Sequence, residues 1–260
     1  MPRIGIFDSG VGGLTVQRAI LEALPGLETT YLGDTARVPY GTKSAEVVTQ
    51  YSLNNARFLV GQGIDMLVVA CNTASAVALP ALRKALPIPV LGVVEPGARA
   101  AARASRSGRI GVIGTQGAVA SGAYQRELLR LRPEAVVAAR ACPLFVPLAE
   151  EGWTAPDDQV VRSVADRYLA PLRAERVDVL VLGCTHYPLL KGAIGSALPG
   201  VALVDSAEAI ADEVRQSFPE AAGPGTADHR FFVTDTPERF LGVASRFLGR
   251  PVAVAEHVDV

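Results

Sequence analysis

The chain has 260 residues, of which 49% are hydrophobic, and its 25 basic and 26 acidic residues give a net charge of -1. Charges of both signs are mixed along the sequence, which excludes a strongly basic surface of the kind that binds nucleic acid or anionic lipid. No apolar stretch approaches the roughly 18 residues needed to cross a bilayer, and the first residues lack the pattern of a signal peptide. We therefore expect a soluble, cytoplasmic protein with neither nucleic-acid nor membrane partners.

Short runs rich in β-branched residues recur along the chain and predict buried strands. They lie at 3–7, 29–32, 65–70, 89–94, 109–113, 136–140, 178–183 and 201–204. Helical patterns separate them, beginning with residues 16–24. The next helix is predicted to start after Ser44 as its N-cap and to end near Gly61, and a last helical pattern runs over 240–247. This alternation predicts an α/β fold with mainly parallel sheets.

Two segments of the chain match each other and predict an internal duplication. Each begins with an aspartate, Asp65 or Asp178, and has a cysteine six residues later. An earlier pair, RIGIFDSGVGG and RIGVIGTQGAV, precedes them in the same order. We therefore expect two pseudo-symmetric, internally duplicated α/β domains with the active site in the cleft between them. Their predicted extents are 1–96 plus 208–260 for the first domain, and 97–207 for the second.

The three cysteines, Cys71, Cys142 and Cys184, form no CxxC motif and no close pair, which argues against disulfides and a structural zinc site. Cys71 and Cys184 each follow a predicted strand and precede a predicted helix. Ligands collect at this edge of a parallel sheet, and a helix N-terminus is expected to lower the pKa of a thiol there. Taken alone, either cysteine would be interpreted as a buried structural residue. Cys142, which precedes a proline, is predicted to lie in the core.

The duplication changes the interpretation of the other two thiols, because equivalent residues of two packed units would face each other. Removal of a proton from one face of a carbon acid and its return to the opposite face need two such groups. One would be a thiol and the other a thiolate in each productive complex, so that the pair titrates together. This arrangement predicts racemisation.

Several polar residues are predicted to lie beside these cysteines. Asp8 would approach Cys71 if the first strand pairs with the third, and His186 could assist Cys184, although a helix cap and an ordinary core histidine are the alternatives. Hydroxyl and amide groups follow both cysteines at Asn72, Thr73 and Thr185. The loop 34–44, with Tyr40 and Gly41, ends a strand on the same edge and could close over a small ligand.

The segments GIFDSGVGGLTV, YLGDTARVPYG, ACNTASA, GVIGTQG, CPLFVPL and GCTHYPLL occur in an order that resembles the glutamate racemase family, within the aspartate/glutamate racemase superfamily. The resemblance extends over nearly the whole chain. It implies a cofactor-independent isomerase that uses neither pyridoxal phosphate nor a metal. The implied substrates are L- and D-glutamate, and the implied role is supply of D-glutamate for peptidoglycan, and thereby for the cell wall and cell shape.

Carried over by position, the resemblance implies that Cys71 and Cys184 are the acid/base thiols, assisted by Asp8 and His186. Glu150 would hydrogen-bond the histidine, with the adjacent Glu151 as an alternative. Substrate-binding positions are implied at Asp8, Ser9, Tyr40, Gly41, Asn72, Thr73, Thr115, Thr185 and His186. The chain departs from the family at Ala118, where many members carry a second threonine.

Other functions stay open at this point. A sister racemase for aspartate or a hydantoin, or a related decarboxylase with one essential thiol, would share these segments, although aspartate enzymes look more like Cys-Thr-Glu where this chain has Cys-Thr-His. A non-catalytic protein that binds a small dicarboxylate is the alternative from another class. A zinc site on Cys71, Cys184 and His186 would need a further ligand, and only His229 and His257 remain.

The lysines bear on the choice of cofactor. Lys43, Lys84 and Lys191 do not follow predicted strand ends, so a Schiff base to pyridoxal phosphate has no strong candidate. The sequence does not determine the oligomeric state, and a homodimer stays open.

Overall fold

The structure, a computed structural model, describes residues 2–223 and 227–260. Its strands are β1 (Arg3–Asp8), β2 (Glu28–Gly33), β3 (Met66–Val69), β4 (Val90–Gly92), β5 (Arg109–Gly114), β6 (Val136–Ala141), β7 (Val179–Gly183), β8 (Ala202–Asp205), β9 (His229–Val233) and β10 (Glu256–His257).

The α-helices are α1 (Leu14–Ala23), α2 (Ala45–Gly61), α3 (Asn72–Val77), α4 (Leu79–Ala85), α5 (Val94–Ala104), α6 (Gln116–Ala120), α7 (Ala123–Leu131), α8 (Phe145–Glu151), α9 (Gln159–Ala174), α10 (Lys191–Ala197), α11 (Ser206–Ser217) and α12 (Pro237–Leu248). Short 3-10 helices lie at Thr35–Arg37, Tyr40–Thr42, Tyr187–Leu190 and Pro219–Ala222.

Within the described residues the strands form two sheets, ordered β10-β9-β2-β1-β3-β4 and β6-β5-β7-β8. Every strand pair in both sheets is parallel. The central strands β3 and β7 are buried along their whole length, as expected for parallel strands with helices on both faces. The predicted α/β fold with mainly parallel sheets is confirmed.

Local signals in the sequence are confirmed in several elements. All eight predicted strands are present, and Ser44 caps α2 by accepting a hydrogen bond from the backbone N–H of Val47 at 3.3 Å. The helix over 240–247 is present within α12. Cys142 is fully buried in a hydrophobic cluster with residues of α8 and α9, as expected of a core thiol.

Two strands were not predicted, β9 and β10. They extend the first sheet, because β9 pairs with β2 and β10 pairs with β9. β9 has the sequence HRFFV. Its first two residues are polar, which leaves an apolar run too short to predict a strand from the sequence. α11 packs against both α1 and α5, and the domain limits near residues 96 and 207 stay a prediction.

The side chains of β1 alternate between two hydrophobic clusters on opposite faces of the first sheet. Ile4 and Ile6 pack in a cluster that also holds buried residues of α1, α11 and α12. Phe7 points to the other face, in a cluster with buried residues of α2. All three side chains are fully buried, and each contributes about 1.5–3 kcal/mol of hydrophobic free energy. This packing fixes the carboxyl end of β1, where Asp8 lies.

The carboxyl ends of four central strands carry the polar residues of interest. β1 ends at Asp8, β3 is followed by Cys71, β5 by Thr115, and β7 by Cys184. This is the edge at which parallel sheets bind ligands. In the part of the chain that the structure describes, no helix combines the length and apolar character needed to span a bilayer.

Candidate active site

The half of the molecule that contains the first sheet and the half that contains the second sheet meet closely beside Cys184. A Cβ atom on Gly12 would lie 2.3 Å from Thr185 Oγ1 and 2.4 Å from His186 Cε1, so only glycine allows this approach. The Thr15 hydroxyl donates a hydrogen bond to the Thr185 carbonyl oxygen at 2.8 Å. The glycine-rich turn after β1 is therefore packed directly against the segment after β7.

A second close contact lies on the opposite side of the site. A Cβ atom on Gly41 would lie 2.7 Å from Thr115 Cβ, and the hydroxyls of Thr73 and Thr115 are 2.8 Å apart. The Thr115 hydroxyl also accepts a hydrogen bond from the backbone N–H of Ala118 at 3.2 Å. At Ala118 the chain presents only a buried methyl group, without the hydroxyl expected from the family pattern.

Between these contacts lies a cavity of about 50 Å³ that brings most of the predicted residues together. It is lined by Ser9, Gly10, Val38, Pro39, Tyr40, Gly41, Cys71, Asn72, Thr73, Thr115, Val146, Glu150, Cys184, Thr185 and His186. Both cysteines are buried, with exposed fractions of 6% for Cys71 and 5% for Cys184. Asp8 is not among the lining residues and lies buried behind them.

Cys71 occupies the N-cap position of α3. Its thiol donates a hydrogen bond to the Ser9 hydroxyl, with 3.8 Å between sulfur and oxygen. Burial, followed by the negative charge of Asp8, raises the pKa of Cys71 to about 12. A backbone N–H at the start of the helix, that of Ala74, does lower the pKa of this thiol as predicted, but loss of hydration outweighs it, so the pKa lies above the ordinary value.

Asp8 lies between the two cysteine-bearing segments. The predicted pairing of β1 with β3 is confirmed, and it places this carboxylate close enough to Cys71 to affect the charge of the thiol. Its hydrogen bonds come from the backbone N–H of Gly10 at 3.0 Å and from the Thr185 hydroxyl at 3.4 Å. Burial raises the pKa of Asp8, and the charge of His186 opposes this effect. Asp8 is thus in contact with the surroundings of both thiols.

Cys184 stands at one end of a chain of three polar groups. Its sulfur is 3.8 Å from Nδ1 of His186, and Nε2 of His186 donates a hydrogen bond to Glu150 Oε1 at 3.0 Å. Burial lowers the pKa of His186, but the contacts with Cys184 and Glu150 outweigh it and raise that pKa to about 10. The hydrogen bond from His186 lowers the pKa of Glu150. The raised pKa favours the imidazolium form of His186, whose positive charge lies between the Cys184 sulfur and the Glu150 carboxylate.

The segment after Cys184 differs from the predicted helix. Thr185 and His186 precede a 3-10 helix at Tyr187–Leu190, and α10 begins only at Lys191. Pro188 has no N–H to donate to the Cys184 carbonyl oxygen, which accepts instead from Tyr187 N at 3.1 Å. The expectation of a helix immediately after this cysteine is therefore wrong.

Asn72 and Tyr40 line the cavity, but their side-chain polar groups form hydrogen bonds with residues outside its lining. The Asn72 side chain accepts a hydrogen bond from the Tyr124 hydroxyl at 2.7 Å and donates one to the Ser206 hydroxyl at 3.5 Å. The Tyr40 hydroxyl donates to the carboxylate of Asp34. Both side chains thereby hold the walls of the cavity in place.

Asp34 was not singled out in the sequence. It is fully buried, and besides Tyr40 it accepts a hydrogen bond from the Thr234 hydroxyl at 2.9 Å. An available signal was its position directly after β2, which parallels that of Asp8 at the end of β1. Gly12 was also missed, because its contact with His186 depends on how the halves pack.

Comparison with known proteins gives a consistent family. The chain matches the family model for Asp/Glu/Hydantoin racemase over residues 4–214. A glutamate racemase from Geobacter metallireducens is 58% identical over 251 residues, which cover 95% of this chain and 92% of that protein.

Solved structures agree with this result. A glutamate racemase isoform from Bacillus anthracis has a TM-score of 0.93 at 40% identity, and the match covers 100% of this chain and 98% of that one. A glutamate racemase from Francisella tularensis in complex with D-glutamate has a TM-score of 0.91 at 33% identity, covering 99% of this chain and 97% of that one.

Proposed function

Because this chain belongs to the Asp/Glu/Hydantoin racemase family, we propose that it interconverts L-glutamate and D-glutamate with two cysteine thiols and without a cofactor. Like the relatives that it matches, it is an isomerase. The observation that carries the mechanism is that Cys71 and Cys184, at equivalent strand ends of the two halves, line one cavity. The assignment of glutamate is supported by the relatives, one of which binds D-glutamate.

The reaction begins with one cysteine as thiolate and the other as thiol. The thiolate removes the α-proton from one face of glutamate, and the electron pair stays on the α-carbon and its carboxylate. The thiol on the opposite face then gives its proton to that carbon, which inverts the configuration and leaves this second cysteine as thiolate. No other reactant is required. The hydrogen bond from Cys71 to Ser9 and the imidazolium beside Cys184 suit Cys71 as the acid and Cys184 as the base at the start.

The surrounding groups have separate roles in this proposal. His186 stabilises the anionic form of Cys184, and Glu150 holds the imidazolium in orientation. Asp8 assists Cys71. The hydroxyls of Ser9, Thr73, Thr115 and Thr185, with the backbone at Tyr40, Gly41 and Asn72, bind the two substrate carboxylates. Fixed donors in a buried cavity stabilise the developing negative charge more than water would.

Incubation of the protein with L-glutamate in deuterated water tests the proposed reaction. We expect deuterium at the α-carbon together with the appearance of D-glutamate, and no comparable exchange with L-aspartate. Exchange with aspartate but not glutamate would overturn the choice of substrate. Binding of glutamate without any exchange would contradict catalysis altogether and favour a dicarboxylate-binding protein.

The biological role follows from the same proposal. D-glutamate made by this chain would supply peptidoglycan synthesis, as the family resemblance implies. Expression of the chain in a bacterium that requires added D-glutamate should restore growth without it, and expression of the Cys71→Ser variant should not. Failure of the wild-type chain, despite racemisation in vitro, would contradict this role.

A further inference from the structure

Helix α12 reaches the surroundings of Cys184 through two consecutive residues. Phe247 is fully buried, and its ring lies 5.2 Å from that of His186 with an angle of 78° between the planes, an edge-to-face contact. The guanidinium of Arg246 donates a hydrogen bond to the backbone carbonyl oxygen of Glu150. The two members of the Glu150–His186 pair are thus each contacted by one of these neighbours.

The contact at Arg246 also depends on the end of α8. Gly152 ends that helix with a φ of 80°, and a Cβ atom there would lie 2.7 Å from Arg246 Cζ. A cation next to the last carbonyl groups of a helix is favourable, because those groups carry partial negative charge. The Glu150 side chain is 45% exposed, so its position depends on how firmly its backbone is held.

From these contacts we propose that Arg246 and Phe247 are positioning residues that hold the Glu150–His186 pair beside Cys184. The consequence for catalysis rests on the proposed racemase function. Hydrogen bonds at Nδ1 and Nε2 fix the two ends of the imidazole but leave its plane free to tilt, and the edge-to-face contact with Phe247 restricts that tilt.

The two residues are expected to affect one half of the reaction. Cys71 has its own neighbours, Asp8 at the end of β1 and Ser9 directly after it, and neither belongs to α12. Loss of the α12 contacts should therefore slow proton transfer at Cys184 and leave transfer at Cys71 nearly intact. A general loss of stability would affect both transfers alike.

The variants that test this are Phe247→Leu and Arg246→Gln, with Arg246→Lys as the conservative rescue. Leu128→Val is the control for a lost core contact, because Leu128 lies in a hydrophobic cluster that contains neither thiol. Arg215→Gln is the control for a lost helical arginine, since Arg215 pairs with Asp212 in the last turn of α11. Two properties are measured in the intact chain: the racemisation of α-deuterated L- and D-glutamate, and the titration of the His186 ring by NMR.

We expect the two variants to slow racemisation about tenfold, which is the scale of one lost orienting contact. The deuterium isotope effect should rise for the enantiomer that Cys184 deprotonates and fall for the other, because transfer at Cys184 becomes the slower step. The pKa of His186 should fall in both variants. Arg246→Lys should recover most of the rate, and both controls should match the wild type.

Two results would overturn the proposal. Unchanged racemisation in Phe247→Leu and Arg246→Gln is one, and equal changes of the isotope effect for both enantiomers with an unchanged His186 titration is the other. If the wild-type chain does not act on glutamate at all, the proposed function fails, and the His186 titration alone still decides whether α12 positions this residue.

Discussion

Cys71 and Cys184 occupy matching places after β3 and β7, but the groups around the two sulfur atoms differ. Cys71 faces the Ser9 hydroxyl and feels the negative charge of Asp8, whereas Cys184 faces the imidazolium of His186. Opposite charges beside two otherwise equivalent thiols favour opposite protonation states. A pair with one thiol and one thiolate is what the proposed two-thiol mechanism requires at the start of each turnover.

Asp8→Asn should stabilise the protein while it impairs the reaction. Burial raises the pKa of Asp8 above the 3.8 of an exposed aspartate, so the folded chain binds this proton more tightly than the unfolded chain does. Ionisation therefore costs stability as the pH rises from about 3.8 through the folded pKa, and the full cost is present above it. At pH 7 we expect the free energy of unfolding, measured in urea, to be about 1 kcal/mol higher for the variant than for the wild type. This gain should disappear in acid. A less stable variant at pH 7 would contradict this.

Glu150→Gln tests the support that Cys184 receives from Glu150 through His186. Removing the charge of Glu150 takes away one of the contacts that raise the pKa of His186 to about 10. Activity that needs the imidazolium is lost as the pH rises through that pKa, so the alkaline limb of the pH profile should move to lower pH by roughly one unit. Glu151→Gln is the matched control and should leave the profile in place. Identical shifts in both variants would assign the effect to net charge alone.

At the scale of elements, the turn after β1 and the segment after β7 are joined by a contact that tolerates only glycine. Gly12→Ala would place a methyl group 2.5 Å from His186 Nδ1, so either the turn or the imidazole must move. We expect a fall in racemisation of about a hundredfold, because small displacements of catalytic groups have effects of this size. Gly61→Ala, at the end of α2 where nothing lies within 4 Å, should change the rate little. Comparable rates in the two variants would show that the contact is dispensable.

Elements with strong local patterns could be predicted from the sequence, and those set by distant packing could not. Buried runs such as VLVLG and the Ser44 cap are local signals, and both are present as predicted. β9 was missed because its pairing with β2 joins residues some 200 positions apart. The 3-10 helix after Cys184 was not predicted. Pro188 has no N–H with which to continue an α-helix from Cys184, and the apolar pattern alone does not show this.

The site shows the same division. The cysteines and their neighbours His186 and Asp8 could be proposed from repeat and resemblance, and the structure does bring them together. The raised pKa of Cys71 could not be predicted, because it depends on how deeply folding buries the thiol. The contact of α12 with His186 likewise joins segments that no local pattern relates.

At the scale of the whole molecule, the cavity exists only because two sheets meet at their carboxyl edges. The hydroxyls of Thr73 and Thr115 meet across the cavity, and the Tyr124 hydroxyl reaches Asn72 from the other half. Each half supplies one thiol to a space of about 50 Å³. The cavity, and with it the pair of thiols, therefore depends on how the two halves pack.

The central claim is that the two halves supply one acid/base thiol each, and single-cysteine variants in deuterated water test it most directly. Serine cannot replace either thiol as a base near neutral pH, so Cys71→Ser and Cys184→Ser should each lose net racemisation by about a thousandfold or more. The remaining thiol should still exchange the α-proton of the enantiomer that it faces. We therefore expect each variant to retain slow exchange, without inversion, of a different enantiomer. Normal racemisation by either variant, or exchange of the same enantiomer by both, would contradict a two-thiol mechanism.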